Sequence, residues 1–325
     1  MVNLAELLNL PRLRDDLASL EDALHASVQA EDPFLSQVSG HLIAAGGKRL
    51  RPALALTAAA VGGVEAVPDV VQGGVSVELV HLGSLYHDDV MDDGTSRRGV
   101  ETVNARWGNL VAILAGDFLL ARASEIAASL GVEVAGLLAS TIGRLCEGQV
   151  GELRTAFDVG RTEDAYLASI AGKTASLMSA SCRIGAITAG LDRPAIDALT
   201  AYGHAFGMVF QIRDDILDVT ATDEELGKAA GQDLVQGTYT LPVIVALSRP
   251  ETGDELRGLL GKPLDTPERD KARDIIRSTD AVEVARRIAA GYADRAAAAV
   301  AAFPDGPVAQ AMAGLGHSLL EDVTR

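Results

Sequence analysis

The sequence predicts an all-α protein, and three observations carry that prediction. Alanine is abundant, aromatic residues make up only 4% of the 325 positions, and runs of alternating β-branched residues are scarce. Alanine is the strongest helix former, whereas strands draw on β-branched and aromatic side chains. Length alone would allow two domains. No stretch is long enough to act as a linker, however, so residues 1–325 read as one helical unit.

Taken in order, residues 4–30 read as an acidic amphipathic helix carrying Leu4, Leu7, Leu8, Leu17, Leu20 and Leu24, with a break near its start at Pro11. Residues 34–45 continue as helix and stop at Gly46-Gly47, a C-terminal signal. The basic run Lys48-Arg49-Leu50-Arg51 then leads into an Ala-rich helix over residues 52–60, Pro52 being tolerated in a first turn. Gly62-Gly63 and Pro68 mark a turn before a helix over residues 70–91, which Gly94-Thr95-Ser96 ends. Residues 109–129 and 132–149 are apolar and rich in small side chains, as helices buried on most sides are. Residues 162–189 read as one or two helices interrupted by the polar Gly172-Lys173-Thr174-Ala175. A further helix spans residues 195–219, followed by a charged loop over residues 223–228 and 231–234. Thr240-Leu241-Pro242 opens another apolar helix, and residues 264–280 are polar and connecting. Two Ala-rich helices around Pro304-Asp305-Gly306-Pro307 complete the chain.

Composition excludes several classes of function. A net charge of −17 argues against nucleic acid as a partner. No run reaches the roughly eighteen apolar residues of a transmembrane helix. The first sixteen positions mix acidic and basic residues, unlike a secretory signal. Two cysteines, Cys146 and Cys182, give no disulfide framework, so a cytoplasmic protein is expected.

The chain is organised around the stretch Glu78 to Gly99, ELVHLGSLYHDDVMDDGTSRRG. On a helix turning roughly 100° per residue, Asp88 and Asp92 fall about 40° apart, with Asp89 nearby. Three carboxylates leaving one face repel each other. A hard divalent cation removes that cost, and Mg²⁺ in particular takes one or two carboxylates and completes its octahedron with phosphate oxygens and water. The same DDxxD spacing recurs at Asp214, Asp215 and Asp218, again among Ile and Leu. One such motif in an acidic protein reads as a solvated helix face; two in apolar helices read as metal sites.

Cations gather beside these motifs. Lys48 and Arg51 lie at a loop-to-helix junction, where free backbone N–H groups also favour anions, although such a run taken alone is ordinary surface. His81 precedes Asp88 by seven residues, about two turns, and so shares its face. By itself it would read as a core residue. Arg97 and Arg98, just past the first cluster, suit bidentate phosphate contacts. Lys173 in a buried-looking segment needs a partner or an anion. Two Asp triads, several cations and apolar helices between them imply a substrate with diphosphate at one end and hydrocarbon at the other. No Ser-His-Asp, Cys-His or P-loop arrangement competes.

The motifs GGKRLRP at 46–52, ELVHLGSLYHDDVMDDGTSRRG at 78–99, GKTASL at 172–177, FQIRDDILD at 210–218 and LGKAAGQDL at 226–234 resemble those of the trans-isoprenyl (E-polyprenyl) diphosphate synthase family. They occur in the family's order; the match weakens before about residue 34, leaving residues 1–33 as a peripheral N-terminal helix. The resemblance implies an all-α helical bundle around a deep central cavity, and a homodimer. It implies Mg²⁺ bound by the two Asp clusters and head-to-tail condensation of isopentenyl diphosphate with an allylic diphosphate. Asp88, Asp89, Asp92, Asp214, Asp215 and Asp218 match the metal ligands. Lys48, Arg51, His81 and Arg98 match the isopentenyl diphosphate site. Arg97, Lys173, Thr174, Gln211 and Lys228 match the allylic side, with Lys173, Thr174 and Gln211 closest to the chemistry. In one departure, Thr238 follows Gly237 where many members carry a phosphate-binding lysine.

In that family the residues before the first Asp cluster form a floor for the growing chain. Val80, Gly83 and Ser84 hold those positions. Their small size predicts an open shaft and a medium- to long-chain product, shortened by a bulky residue at Gly83. A close helix contact at Gly83 is the competing reading. The short-chain geranylgeranyl or farnesyl synthases, a terpene cyclase and a non-catalytic synthase subunit are the alternative functions.

Overall fold

In the computed structural model, which describes Leu10 and residues 12–226, 229–321 and 323, ten longer helices carry the architecture. They are α1 (Leu13–Ser27), α2 (Leu50–Val61), α3 (Pro68–Met91), α4 (Asn109–Ser129), α5 (Val132–Arg154), α6 (Ser176–Thr188), α7 (Arg193–Thr220), α8 (Thr266–Arg277), α9 (Ala281–Val300) and α10 (Pro307–Glu321). The only strands among the described residues are two-residue pieces, Ser96–Arg97 pairing antiparallel with Val100–Glu101. The protein is all-α, and one continuous apolar core runs through it.

The two Asp helices are the longest elements, and each starts as its sequence dictates. Proline sits in the first turn of both, where a missing N–H costs nothing. Asp192 caps α7 by accepting from the Ala195 N–H at 3.0 Å. In α3 most of the circumference is buried, from Val70 through Tyr86, because α2, α4 and α6 all pack on it. On α1, Leu13, Leu20 and Leu24 are buried along one face. The predicted residues 4–9 and Pro11 lie outside the described residues.

Several expectations are corrected. Residues 264–280 are not connecting chain, because Thr266–Arg277 is a helix. Asp265 and Glu268 close a capping box over its first turn, and Ala272, Arg273 and Ile276 are buried. Its many charges mask a helix that hides only a narrow face. Residues 34–45 are two pieces, Pro33–Ser39 and His41–Ala44, separated at Gly40. The expected loop after α7 contains the short helices Asp223–Leu226 and Gln232–Gln236. Helices α4 and α5 are not buried on most sides: Leu110 is 71% exposed and Leu114 56%, with Ile113, Val150 and Leu153 also at the surface. Among the described residues no helix is long and apolar enough to cross a membrane.

Candidate active site

A cavity of about 510 Å³ opens where α3, α5 and α7 converge. Asp92 from the end of α3 and Asp215 from α7 both line it, with Lys173, Thr174, Gln211 and Glu152. Met91, Leu153, Phe157 and Ile170 give its wall apolar surface. Residues from two sequence motifs more than a hundred positions apart thus face one space.

The cationic wall depends on a local irregularity. Ala171–Ala175 forms one turn of π-helix between Glu163–Ile170 and α6, and it carries Lys173 and Thr174. Such bulges are rare and recur at functional sites. They are invisible to hydrophobic periodicity, which registers here only as a polar interruption. Helix α5 approaches this turn so closely that a Cβ on Gly148 would lie 2.4 Å from the Lys173 backbone nitrogen, so only glycine fits. One turn further on, Glu152 receives the Lys173 Nζ at 2.6 Å. Burial opposes the Lys173 charge, but Glu152, Asp88 and Asp92 outweigh it and hold the ammonium above its ordinary range.

The second Asp cluster is oriented by a chain of hydrogen bonds. Thr174 Oγ1 donates to Gln211 Oε1 at 2.7 Å, which fixes the amide so that Nε2 donates to Asp215 Oδ1 at 2.8 Å. The hydroxyl of buried Tyr166 donates to the other oxygen, Oδ2. Burial raises the Asp215 pKa against these donors, and Asp214 and Glu152 push it the same way. Asp218 is also buried; its Oδ2 accepts from the Asp233 N–H at 3.2 Å, while Oδ1 has no hydrogen-bond partner. Asp214 is more open, its side chain 43% exposed, and pairs with Arg213 at 3.2 Å.

The first cluster divides. Burial raises the pKa of Asp88 and of Asp92; Glu152 adds to the effect and Lys173 counters it at both, so the two carboxylates share the field of that ion pair, and Asp92 lines the cavity. Asp89, expected on the same face, is turned away and only 3% exposed. It accepts from Arg97 Nε at 2.8 Å. A rotation of roughly 100° per residue is enough to bury it against the short hairpin. Arg97 is therefore tied to a carboxylate, and it lies beside the cluster as well.

A second cationic group lies further along α3. Arg49, in the left-handed region at φ 45°, turns inward and pairs with Glu21 and with buried Glu78 at 3.2 Å from the latter. That leaves Lys48 exposed and Arg51 half-buried at the start of α2. Burial pushes Arg51 down to about 10, with Arg98 adding to the fall and Glu78 and Asp88 opposing it. Its Nε has no hydrogen-bond partner. Arg98 donates to the Leu42 and Gly46 carbonyls, tying the hairpin to the Gly46–Lys48 loop. His81 is held uncharged, well below its ordinary pKa, by burial and by Arg51, Arg98, Arg97 and Arg49. Arg51, His81 and Arg98 thus belong to one neighbourhood, and Lys48 sits in the loop that Arg98 ties down. Lys228 lies outside the described residues.

A Cβ on Gly83 would lie 3.0 Å from the Gly116 carbonyl oxygen and 3.2 Å from Leu120 Cγ, so Gly83 lets α3 and α4 meet closely. Val80 is fully buried, and Ser84 is partly exposed with its hydroxyl on the His81 carbonyl at 2.8 Å.

Sequence reasoning missed Glu78, Glu152, Arg161 and Tyr166. Tyr166 lies seven residues before Lys173, a spacing that places both on one helical face, and that signal was available. Glu152 had none, because its role follows from the approach of α5.

Among the described residues, no three His, Cys, Asp or Glu side chains converge closely enough to enclose an ion unaided. The donors nonetheless suit a hard cation with few protein ligands: they are carboxylate oxygens from two walls, and Asp218 Oδ1 is buried without a partner.

A polyprenyl synthetase family model matches residues 32–278. Heptaprenyl diphosphate synthase component 2 of Geobacillus stearothermophilus is 41% identical over 285 residues, covering 87% of this chain and 88% of that protein. Nonaprenyl diphosphate synthase of Mycobacterium tuberculosis is 36% identical over 318 residues, covering 97% and 94%. Among solved structures, the polyprenyl synthase of Caulobacter crescentus, complexed with calcium and isoprenyl diphosphate, superposes with a TM-score of 0.89 at 33% identity, covering 98% and 96%. The fold, the paired Asp helices and these matches together make the chain a member of the polyprenyl synthetase family of prenyltransferases.

Proposed function

We propose that this protein condenses isopentenyl diphosphate with an allylic diphosphate, head to tail, to give an all-trans polyprenyl diphosphate of medium to long chain. The observation that carries the reading is the single cavity lined by Asp92 from one motif and Asp215 from the other, with Lys173, Thr174 and Gln211 between them. The relatives named heptaprenyl and nonaprenyl diphosphate synthase support the longer product.

In this reading Asp88, Asp89, Asp92, Asp214, Asp215 and Asp218 would hold Mg²⁺, which would supply charge neutralisation for the departing diphosphate. Of that set Asp92 and Asp215 line the cavity, whereas Asp89 is engaged by Arg97. Lys173 presents an ammonium to the allylic diphosphate as the C–O bond breaks and its electron pair leaves with the diphosphate. Thr174 and Gln211 hold the Asp215 carboxylate in place. Arg97 and Lys228 complete the allylic side. Lys48, Arg51, His81 and Arg98 grip isopentenyl diphosphate, whose double bond forms the new C–C bond. The proton then lost passes to the released diphosphate. The apolar walls from Leu153, Phe157 and Ile170 keep water from the cation. Val80, Gly83 and Ser84 bound the chain, with Ser84 the more accessible of the three.

The same reading gives a homodimer in the cytoplasm. Both free cysteines suit a reducing compartment, and the exposed Leu110, Ile113 and Leu114 on α4 offer a face for a second copy. The relative named component 2 makes a dissimilar subunit the other occupant to test.

Incubation with an allylic diphosphate, isopentenyl diphosphate and Mg²⁺, followed by mass spectrometry, tests the function. Linear products of seven or more isoprene units support it, products of three or four units assign a short-chain synthase, and cyclic products or silence contradict it.

A further inference from the structure

The cavity contains a cation that the motifs do not account for. Arg161 lines it and is only 5% exposed. The local chain explains how it arrives there. Phe157 takes the left-handed conformation at φ 59°, and its N–H donates to the Gly237 carbonyl at 2.9 Å. Asp158 then closes a tight turn by accepting from the Gly160 N–H at 2.8 Å. Arg161 Nη1 donates to the Tyr239 carbonyl at 3.0 Å. The two anchors, Gly237 and Tyr239, flank Thr238 on either side. The turn therefore delivers an arginine beside the one position where the chain lacks the family's usual lysine.

Unlike Lys173, Arg161 has no carboxylate within ion-pair distance among the described residues, and its Nε and Nη2 are buried without hydrogen-bond partners. Its guanidinium lies 5.6 Å from the Tyr166 ring centroid, over the residue that orients Asp215. Burial lowers the Arg161 pKa, while Glu152, Tyr166, Asp215 and Asp233 act in the opposite direction and favour the charged form. A buried guanidinium with two unused donors costs stability unless a ligand meets them. An anion with oxygens presented side by side, such as a diphosphate, fits that fork.

We propose that Arg161 is a binding residue for the allylic diphosphate and supplies from the Phe157–Arg161 turn the positive charge that Thr238 does not. The proposal rests on the prenyltransferase reading above. It makes the cation of this subsite a relocated one, reaching the same space from a different segment of chain.

The test uses full-length protein and the variants Arg161→Gln, Thr238→Lys and their combination, with inorganic pyrophosphate and Mg²⁺ as the calorimetric probe. Arg161→Gln should weaken pyrophosphate binding about ten- to a hundredfold, and raise the KM for the allylic diphosphate comparably, as loss of a charged hydrogen bond does. The KM for isopentenyl diphosphate should stay within about twofold, because that site is built from other residues. Adding Thr238→Lys to Arg161→Gln should recover most of the lost affinity, which a purely structural arginine would not allow. Should Arg161→Gln fail to fold, Arg161→Lys keeps the charge and loses the fork, and should bind pyrophosphate severalfold more weakly. Unchanged pyrophosphate affinity in a folded Arg161 variant overturns the proposal, as does a folded double variant with no recovery. A wild-type protein that binds pyrophosphate but forms no linear prenyl product overturns the underlying function instead.

Discussion

Tyr166 and His81 act through what surrounds them. Removing the Tyr166 hydroxyl leaves Asp215 with one oriented oxygen instead of two. Groups that orient a ligand carboxylate commonly affect metal affinity by about 10–100-fold. Tyr166→Phe should therefore raise the Mg²⁺ concentration for half-maximal activity by about tenfold, measured by metal titration at saturating substrates. His81 is neutral in the folded protein, with its pKa far below the ordinary 6.5. Below that value the unfolded chain binds the proton and the native ring does not, so stability falls as pH drops. His81→Gln, which cannot titrate, should lose less thermal stability than wild type between pH 7.5 and 5.5; equal losses would contradict the assignment. Both residues were legible to different degrees. His81 shares a helical face with Asp88, a matter of spacing. The spacing of Tyr166 from Lys173 was readable in the same way, but the contact of its hydroxyl with Asp215 on α7 is not encoded by any local pattern.

The elements were legible wherever apolar residues recur with helical period, which covers both Asp helices. The misreadings share a physical origin. Helix α8 buries only a few residues, so its charged surface masked its period. Helices α4 and α5 are apolar on faces that the single chain does not cover. At Gly83, where sequence allowed either an open floor or a close helix contact, an added Cβ would lie 3.0 Å from the Gly116 carbonyl oxygen. Gly83→Ala should accordingly destabilise the fold by about 1–3 kcal/mol through overpacking, read from denaturant midpoints. Ser84→Phe, at the partly exposed neighbour, should instead leave stability nearly intact and shorten the product by one or more isoprene units on chromatography. An unchanged product from an active Ser84→Phe enzyme would remove Ser84 from the floor.

At the scale of the molecule, a long acidic chain concentrates its functional cations at two places, and both lie beside aspartates. Arg51, His81 and Arg98 gather where the start of α2, the middle of α3 and the hairpin meet, whereas Lys173 and Arg161 come from the π-turn and the Phe157–Arg161 turn, so the proposed function has a separate cationic group for each of two diphosphates. The exposed apolar side of α4 belongs to the same scale. Leu110→Glu with Leu114→Glu should convert a dimer to monomer in light scattering, and an unaltered mass would assign the contact to another face. The most direct question is whether Asp92, at the end of α3, and Asp215 on α7 hold one ligand jointly. Calorimetric titration of pyrophosphate with Mg²⁺ into wild type, Asp92→Asn, Asp215→Asn and the double variant tests this. Binding should require Mg²⁺, each single change should remove most of the affinity, and the double should cost less than the sum. Wild-type affinity in either single variant, or strictly additive losses, would contradict joint binding.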